Sequence, residues 1–134
     1  MSASTEIYAR ADSSYVAFAQ SVANLLGISF QVIRGPEHDE GPLYRAVQYG
    51  ALIDLLSVDD VFRGLMPISD DPELPIDSFT YFISVDARTG NGPEENDRVR
   101  ENLSRFIFDR LKATGDYALL MVDDSIGKLD AHHP

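Results

Sequence analysis

The chain has 134 residues, of which 44% are hydrophobic, and it contains no cysteine and 22 acidic against 11 basic side chains. This length and hydrophobic content predict one folded domain over residues 1–134, and the lack of thiols excludes disulfides, Cys-ligated zinc and iron–sulfur clusters. The longest apolar run is Tyr117 to Val122, much shorter than the about 20 residues of a membrane helix. The N-terminus has neither the basic start nor the apolar core of a signal peptide. We therefore expect a cytoplasmic protein that does not enter a membrane.

The acidic side chains are concentrated in the middle of the chain. Between Gly35 and Asp86 there are eleven acids and only two bases, Arg45 and Arg63, so this part carries nine of the eleven net negative charges. A surface of one sign attracts cationic partners and repels nucleic acid. The charge therefore predicts a basic protein as the partner and argues against nucleic-acid binding.

The first third of the chain is typical of a strand, a helix and a strand. Residues 5–11 alternate between apolar and other side chains, which predicts a strand with one face in solvent. The side chains expected on that solvent face are Glu6, Tyr8 and Arg10. An apolar stripe with helical spacing then predicts a helix over residues 13–26, capped by Asp12-Ser13-Ser14 and ended by Gly27. Residues 29–34 are expected to form a short strand.

Two acidic loops flank a segment that the sequence leaves ambiguous. Residues 35–42 and 59–78 are rich in Gly, Pro and Asp, which predicts loops. The stretch between them fits either a helix or a hairpin made of Leu43–Gln48 and Ala51–Val58. We favour the hairpin because Gly50 would cost a helix interior about 1 kcal/mol.

The last third of the chain predicts a strand, a long helix and a buried strand. Period-two alternation predicts that the strand over residues 79–86 turns four side chains toward the core: Phe79, Tyr81, Ile83 and Val85. The helix is expected over residues 93–114, with its apolar stripe formed by Val99, Leu103, Phe106, Ile107 and Leu111. Residues 116–123 are apolar on both faces, as in an interior strand, and residues 127–134 are expected to be a flexible tail.

These elements predict a single-domain α+β sandwich. We expect a mixed or antiparallel sheet of five or six strands, with both helices on one face.

No pattern in the sequence is specific for catalysis. Gly90-Asn91-Gly92 is best explained as a turn before a helix, because acidic residues follow it where a phosphate-binding loop needs positive charge. The Asp pairs lack the calcium-loop spacing, and His38, His132 and His133 lack zinc-site spacing. We therefore predict no catalytic residue, no metal ligand and no cofactor, and a protein that is not an enzyme.

The plan of the chain resembles that of small acidic bacterial immunity proteins, which neutralise toxins. The resemblance lies in the cysteine-free acidic domain and in the order strand, Ser-capped helix (Asp12-Ser13-Ser14 to Gly27), strand, acidic loop, hairpin, strand (Phe79–Asp86), helix and strand. It implies an inhibitor that docks a basic toxin or nuclease domain. The residues expected to bind that partner are Asp59, Asp60, Asp70, Asp71, Glu73, Tyr44 and Tyr49.

Two other interpretations stay open. The first is a small-ligand-binding protein or divalent-metal-dependent enzyme with its pocket between the sheet and the acidic loop. The second is a homodimer that uses the second face of the sheet, with Tyr8 and Phe82 exposed.

Overall fold

Seven antiparallel strands and two helices make up the described part of the chain. The computed structural model describes residues 4–35, 37–39, 41–48, 50–58, 79–123 and 127–134. The elements are β1 Thr5–Arg10, α1 Tyr15–Leu26, β2 Gln31–Arg34, β3 Leu43–Gln48, β4 Ala51–Ser57, β5 Tyr81–Ala87, α2 Pro93–Thr114, β6 Ala118–Asp123 and β7 Gly127–His132. The strands form one sheet in the order β2-β3-β4-β5-β1-β6-β7. The predicted α+β class is confirmed, and the described sheet has seven strands where five or six were expected.

The caps of both helices follow the sequence signals. The Ser14 side chain accepts a hydrogen bond from the Ala17 N–H, so α1 begins at Tyr15, and Gly27 ends the helix with a left-handed φ of 67°. In α2, Pro93 occupies the first turn, and the N–H of Gly115 donates to the Lys112 carbonyl. The predicted helices are thus confirmed to within two residues, because their ends depend on local chemistry that a sequence displays directly.

The main core lies between the two helices and one face of the sheet. Phe18 and Val22 of α1 and Leu111 of α2 pack against strand residues such as Ile53 and Ile83, and all five are nearly inaccessible to solvent. The hairpin β3–β4 is confirmed, with Leu43 opposite Leu56 and Gln48 opposite Ala51. Both helices therefore contact the same face of the sheet, as expected.

A second apolar cluster lies on the other face of the sheet. Tyr8 is only 3% exposed, and it packs with Phe79, Phe82 and Leu120. The expectation that Tyr8 is in solvent was wrong, and so was the exposure of Phe82 in the homodimer interpretation. An alternating pattern shows which residues share a face, but an aromatic side chain among polar ones can be buried on the second face as well.

The strand that follows residues 59–78 has the predicted register, with one exception. Ile83 and Val85 are fully buried on the helix face, and Tyr81 packs there as a half-buried residue. Phe79 instead belongs to the second cluster, and its ring centroid lies 6.1 Å from that of Tyr8. Phe79 precedes the first residue of β5, so the alternation of the strand does not fix the direction of its side chain.

The buried stripe of α2 differs from the predicted one. The residues that face the core are Arg100, Ser104, Ile107, Phe108 and Leu111. Phe106 is 43% exposed, and the Arg110 guanidinium lies 5.0 Å from the centre of its ring. Ile107 and Leu111 are buried as predicted, and Leu103 packs half-buried against the core. The prediction was wrong for Phe106, because two polar residues occupy the buried stripe and counting apolar residues favoured its neighbour.

The C-terminal residues form a strand and not a flexible tail. β7 pairs with β6 from Asp123 opposite Gly127 to Leu119 opposite His132, with one irregularity in the register. Its side chains are exposed or half-buried, which explains why the segment has no apolar pattern. β7 covers the backbone of β6, whose six residues are all buried.

Candidate functional site

A row of polar side chains crosses the sheet on the face away from the helices. In register across the strands stand Gln31 of β2, Arg45 of β3, Asp54 of β4, Ser84 of β5 and Glu6 of β1. Arg45 and Asp54 form a two-point ion pair, with Nε–Oδ1 and Nη2–Oδ2 distances of 2.7 and 3.0 Å. This pair raises the pKa of the Arg45 guanidinium, mainly through the hydrogen bond to Asp54.

This polar row divides the helix-free face into two parts. On one side lies the second apolar cluster, which includes Tyr8 and Phe82. On the other side, Asp86 of β5 stands opposite Leu52 and pairs with Arg88, whose Nη2 is 3.0 Å from Asp86 Oδ2. The face therefore combines buried aromatic rings with carboxylates and guanidinium groups.

Most of the partner-binding residues expected from the sequence lie outside the described residues. These are Asp59, Asp60, Asp70, Asp71, Glu73 and Tyr49. The described residues nearest to 59–78 are Val58 and Phe79, and both belong to the second apolar cluster. The chain therefore enters and leaves that acidic segment on the helix-free face.

Tyr44 is the one expected site residue that the structure describes, and it lies on the other face. Its ring is half-buried and meets that of Tyr15 edge-on, with centroids 4.8 Å apart. It borders a shallow groove of about 260 Å³ between α1 and the edge of the sheet, with Val16 and Phe30 among the lining residues. Tyr44 is thus separated by the thickness of the sheet from Val58 and Phe79.

The Tyr15 hydroxyl bridges two strands of the hairpin beside Tyr44. It donates to the carbonyl of Leu55 and accepts the N–H of Tyr44 at 3.1 Å, and these two residues stand opposite each other in the β3–β4 register. Burial is the largest influence on this phenol and raises its pKa well above the ordinary value near 10. Tyr15 therefore holds the β3–β4 hairpin to α1 and is not a proton donor poised near neutral pH.

A cluster of polar residues that was not predicted from the sequence lies beneath α2. Arg100 and Asp123 are 6% and 3% exposed. The Arg100 Nη2 atom lies 3.4 Å from Asp123 Oδ2, and its Nη1 lies 2.8 Å from Asp97 Oδ1. Next to them, a cavity of about 210 Å³ opens between α2 and strands β1, β6 and β7. The only signal in the sequence is the helical spacing of Arg100 and Ser104 with Ile107 and Leu111.

Two further expectations concern a metal site and the C-terminal tail. Within the described ranges, no three His, Asp or Glu side chains are grouped closely enough to hold a metal ion. His132, expected in a mobile tail, lies in β7 and is half-buried.

Neither helix of the described residues has the length and apolar character needed to cross a membrane.

Comparison with known proteins adds no relative. No protein-family model matches the chain, and no curated protein sequence is significantly similar to it.

Proposed function

We propose that this protein is a small acidic protein-binding module that docks a basic partner through its helix-free face. The observation that carries the proposal is the charge of residues 59–78. This segment holds six acids and one base, Arg63, and its described neighbours Val58 and Phe79 both lie on that face.

The described residues of the same face carry charges of both signs. Glu6, Asp54 and Asp86 stand on it, and the ion pairs to Arg45 and Arg88 engage two of these carboxylates within the protein. Arg10 and Lys128 stand on the same face, opposite Ala118 and Val122 of the second apolar cluster. The negative charge available to a partner on this face therefore comes from residues 59–78. A segment with such an excess of one sign raises the association rate with a basic protein, up to about 10⁸–10⁹ M⁻¹s⁻¹ at low salt.

The finer proposal is that the partner is a toxin or nuclease domain and that the protein inhibits it, as an immunity protein does. The acids Asp59, Asp60, Asp70, Asp71 and Glu73 would steer the encounter. Tyr49 would serve as an aromatic anchor, because buried aromatic residues dominate the binding energy of many interfaces. Tyr44 borders the groove on the opposite face, so its part in the same interface requires a partner that reaches around the edge of the sheet.

The test is a kinetic comparison of two charge-reversed variants. The partner is first isolated with the wild-type protein at low salt and identified by mass spectrometry. One variant carries Asp70→Lys and Asp71→Lys, and the matched control carries Glu94→Lys and Asp116→Lys, two exposed acids outside the segment. Both variants change the net charge by four units.

We expect slower association and a smaller salt dependence for the variant in 59–78 and a much smaller effect for the control. Charges at the rim of an interface act mainly on the association rate. Equal effects in the two variants, or no effect in either, would contradict the proposal that this segment is the recognition surface.

A further inference from the structure

The cavity beneath α2 contains a buried hydroxyl that lacks a hydrogen-bond partner. Ser104 is 2% exposed, it lines the cavity, and its Oγ makes no hydrogen bond among the described residues. A buried polar atom that is left unpaired destabilises the protein, so native structures nearly always satisfy such atoms. The Ser104 hydroxyl is therefore available to a guest in the cavity.

The size of the cavity suits a small molecule. Its volume is about 210 Å³, several times the roughly 30 Å³ that one molecule occupies in liquid water. It is smaller than the pockets of about 300–1,000 Å³ that bind drug-sized ligands. A guest with a handful of heavy atoms would fill it.

The walls of the cavity have an apolar side and an acidic side. Met121 and Leu129 provide apolar surface, while Asp123 and Glu101 provide carboxylates. Arg105 also lines the cavity, but its Nη1 lies 2.7 Å from Asp130 Oδ2 and 3.7 Å from Asp109 Oδ1. Its positive charge is therefore already balanced within the protein.

The carboxylates around the cavity outnumber the cations. Arg100 is shared between Asp97 and Asp123, and Arg105 is shared between Asp109 and Asp130. Glu101 at the rim forms no ion pair among the described residues and is exposed. With Lys112, whose charge also acts on Asp130, three cations stand among five carboxylates. Glu101 is the lining carboxylate that remains for a cation.

We propose that this cavity binds an alkylammonium group, with the ammonium between Glu101 and the Ser104 hydroxyl and the alkyl chain against Met121 and Leu129. A metal ion would need several oxygen ligands grouped around one point, and the described residues provide no such group. The apolar wall instead matches a hydrocarbon chain. The site lies on the helix side of the sheet, so it is independent of the proposed docking face.

A titration of the intact protein with n-butylammonium chloride, followed by NMR, tests the proposal. We expect saturable shifts confined to amides around the cavity, and no such response to n-butanol, which has the same chain length and no charge. The Glu101→Gln and Ser104→Ala variants should each weaken the affinity, with about a tenfold loss for Glu101→Gln, since that change removes a charge-assisted hydrogen bond.

Glu94→Gln is the matched control, because Glu94 is exposed on the same helix and does not line the cavity. Equal binding by n-butanol, or equal losses in the Glu101 and Glu94 variants, would overturn the proposal. A second titration uses Nα-acetyl-lysine methylamide, which presents the same ammonium on a peptide backbone. Comparable affinity would assign the site to a lysine side chain of another protein, and weaker affinity would assign it to free amines.

Discussion

Two phenylalanines of α2 contribute very differently to stability although they are only two positions apart. Phe108 is completely buried in the main core, whereas Phe106 is 43% exposed. We expect Phe108→Ala to lower the free energy of unfolding by about 3–5 kcal/mol, because it leaves a cavity in a packed core. Phe106→Ala should cost about 1 kcal/mol or less.

Urea denaturation of the two variants measures this difference directly. The stripe inferred from the sequence contains Phe106 and omits Phe108, so it predicts the opposite order. A larger loss for Phe106→Ala would mean that α2 is rotated relative to the structure described here.

The hydroxyl of Tyr15 contributes to stability through the two backbone groups that it joins. Tyr15→Phe keeps the ring but removes the partner of the Leu55 carbonyl and of the Tyr44 N–H. We expect the free energy of unfolding to fall by about 1–3 kcal/mol, the usual cost of leaving buried polar groups unpaired. Val16→Ala, which shortens an exposed side chain on the same helix, is the control and should cost much less.

The same hydroxyl should make stability depend on pH in alkaline solution. Burial raises the pKa of Tyr15 in the folded protein above the value near 10 that applies to the unfolded chain. Its contribution is thus complete below about pH 10 and is lost as the pH rises further, because only the unfolded chain then releases the proton. The loss of stability between pH 9 and pH 11, followed by thermal melts, should be smaller in Tyr15→Phe. An identical loss in both proteins would contradict the assignment.

At the level of elements, the sequence predicts what local chemistry specifies. The helix ends depend on Ser14, Gly27 and Gly115, whose capping roles involve only neighbouring residues. The β3–β4 hairpin was similarly predictable, because Gly50, with a φ of 75°, suits the turn and not a helix interior. Such features are encoded within a few residues and do not require knowledge of the tertiary fold.

Features that depend on tertiary contacts were not predictable in the same way. β7 has exposed or half-buried side chains, so only its pairing with β6 defines it as a strand. The α2 cavity depends on contacts between Ser104 and strands that are distant in sequence. Of the seven expected partner-binding residues, only Tyr44 falls within the described part of the chain, so the acidic recognition surface stays a prediction.

Removal of β7 tests whether the C-terminal segment is structural. A chain that ends before Gly127 exposes the backbone edge of β6, all of whose residues are buried. Each backbone hydrogen bond contributes about 1 kcal/mol net, so we expect the loss of several kcal/mol and a tendency to aggregate through the exposed edge.

The control for this deletion removes only Pro134, which is exposed and lies beyond β7. Its thermal stability should match that of the full chain. A β7 deletion as stable as the control would support the flexible tail that the sequence alone suggested.

At the level of the whole molecule, the distribution of charge links binding to stability. The net charge is −11, and a net charge far from zero destabilises a compact state through self-repulsion. Residues 59–78, with six acids and one base, carry nearly half of this excess. A segment that attracts a basic partner should therefore also lower the stability of the isolated protein, and binding of the partner would offset this repulsion.

This link predicts how salt affects folding. Raising NaCl shortens the screening length from about 30 Å at 0.01 M to about 8 Å at 0.15 M, so the free energy of unfolding of the wild-type protein should rise, on the order of 1 kcal/mol for surface charges. The variant with Asp70→Lys and Asp71→Lys has a net charge four units less negative and should gain less. Glu94→Lys with Asp116→Lys makes the same change where acids and bases are more evenly mixed in the sequence, and should keep most of the salt effect. Thermal melts of the three proteins at both salt concentrations measure the effect. A wild-type stability that is independent of salt would show that the acidic segment does not destabilise the folded protein. Identical responses in the two variants would show the same.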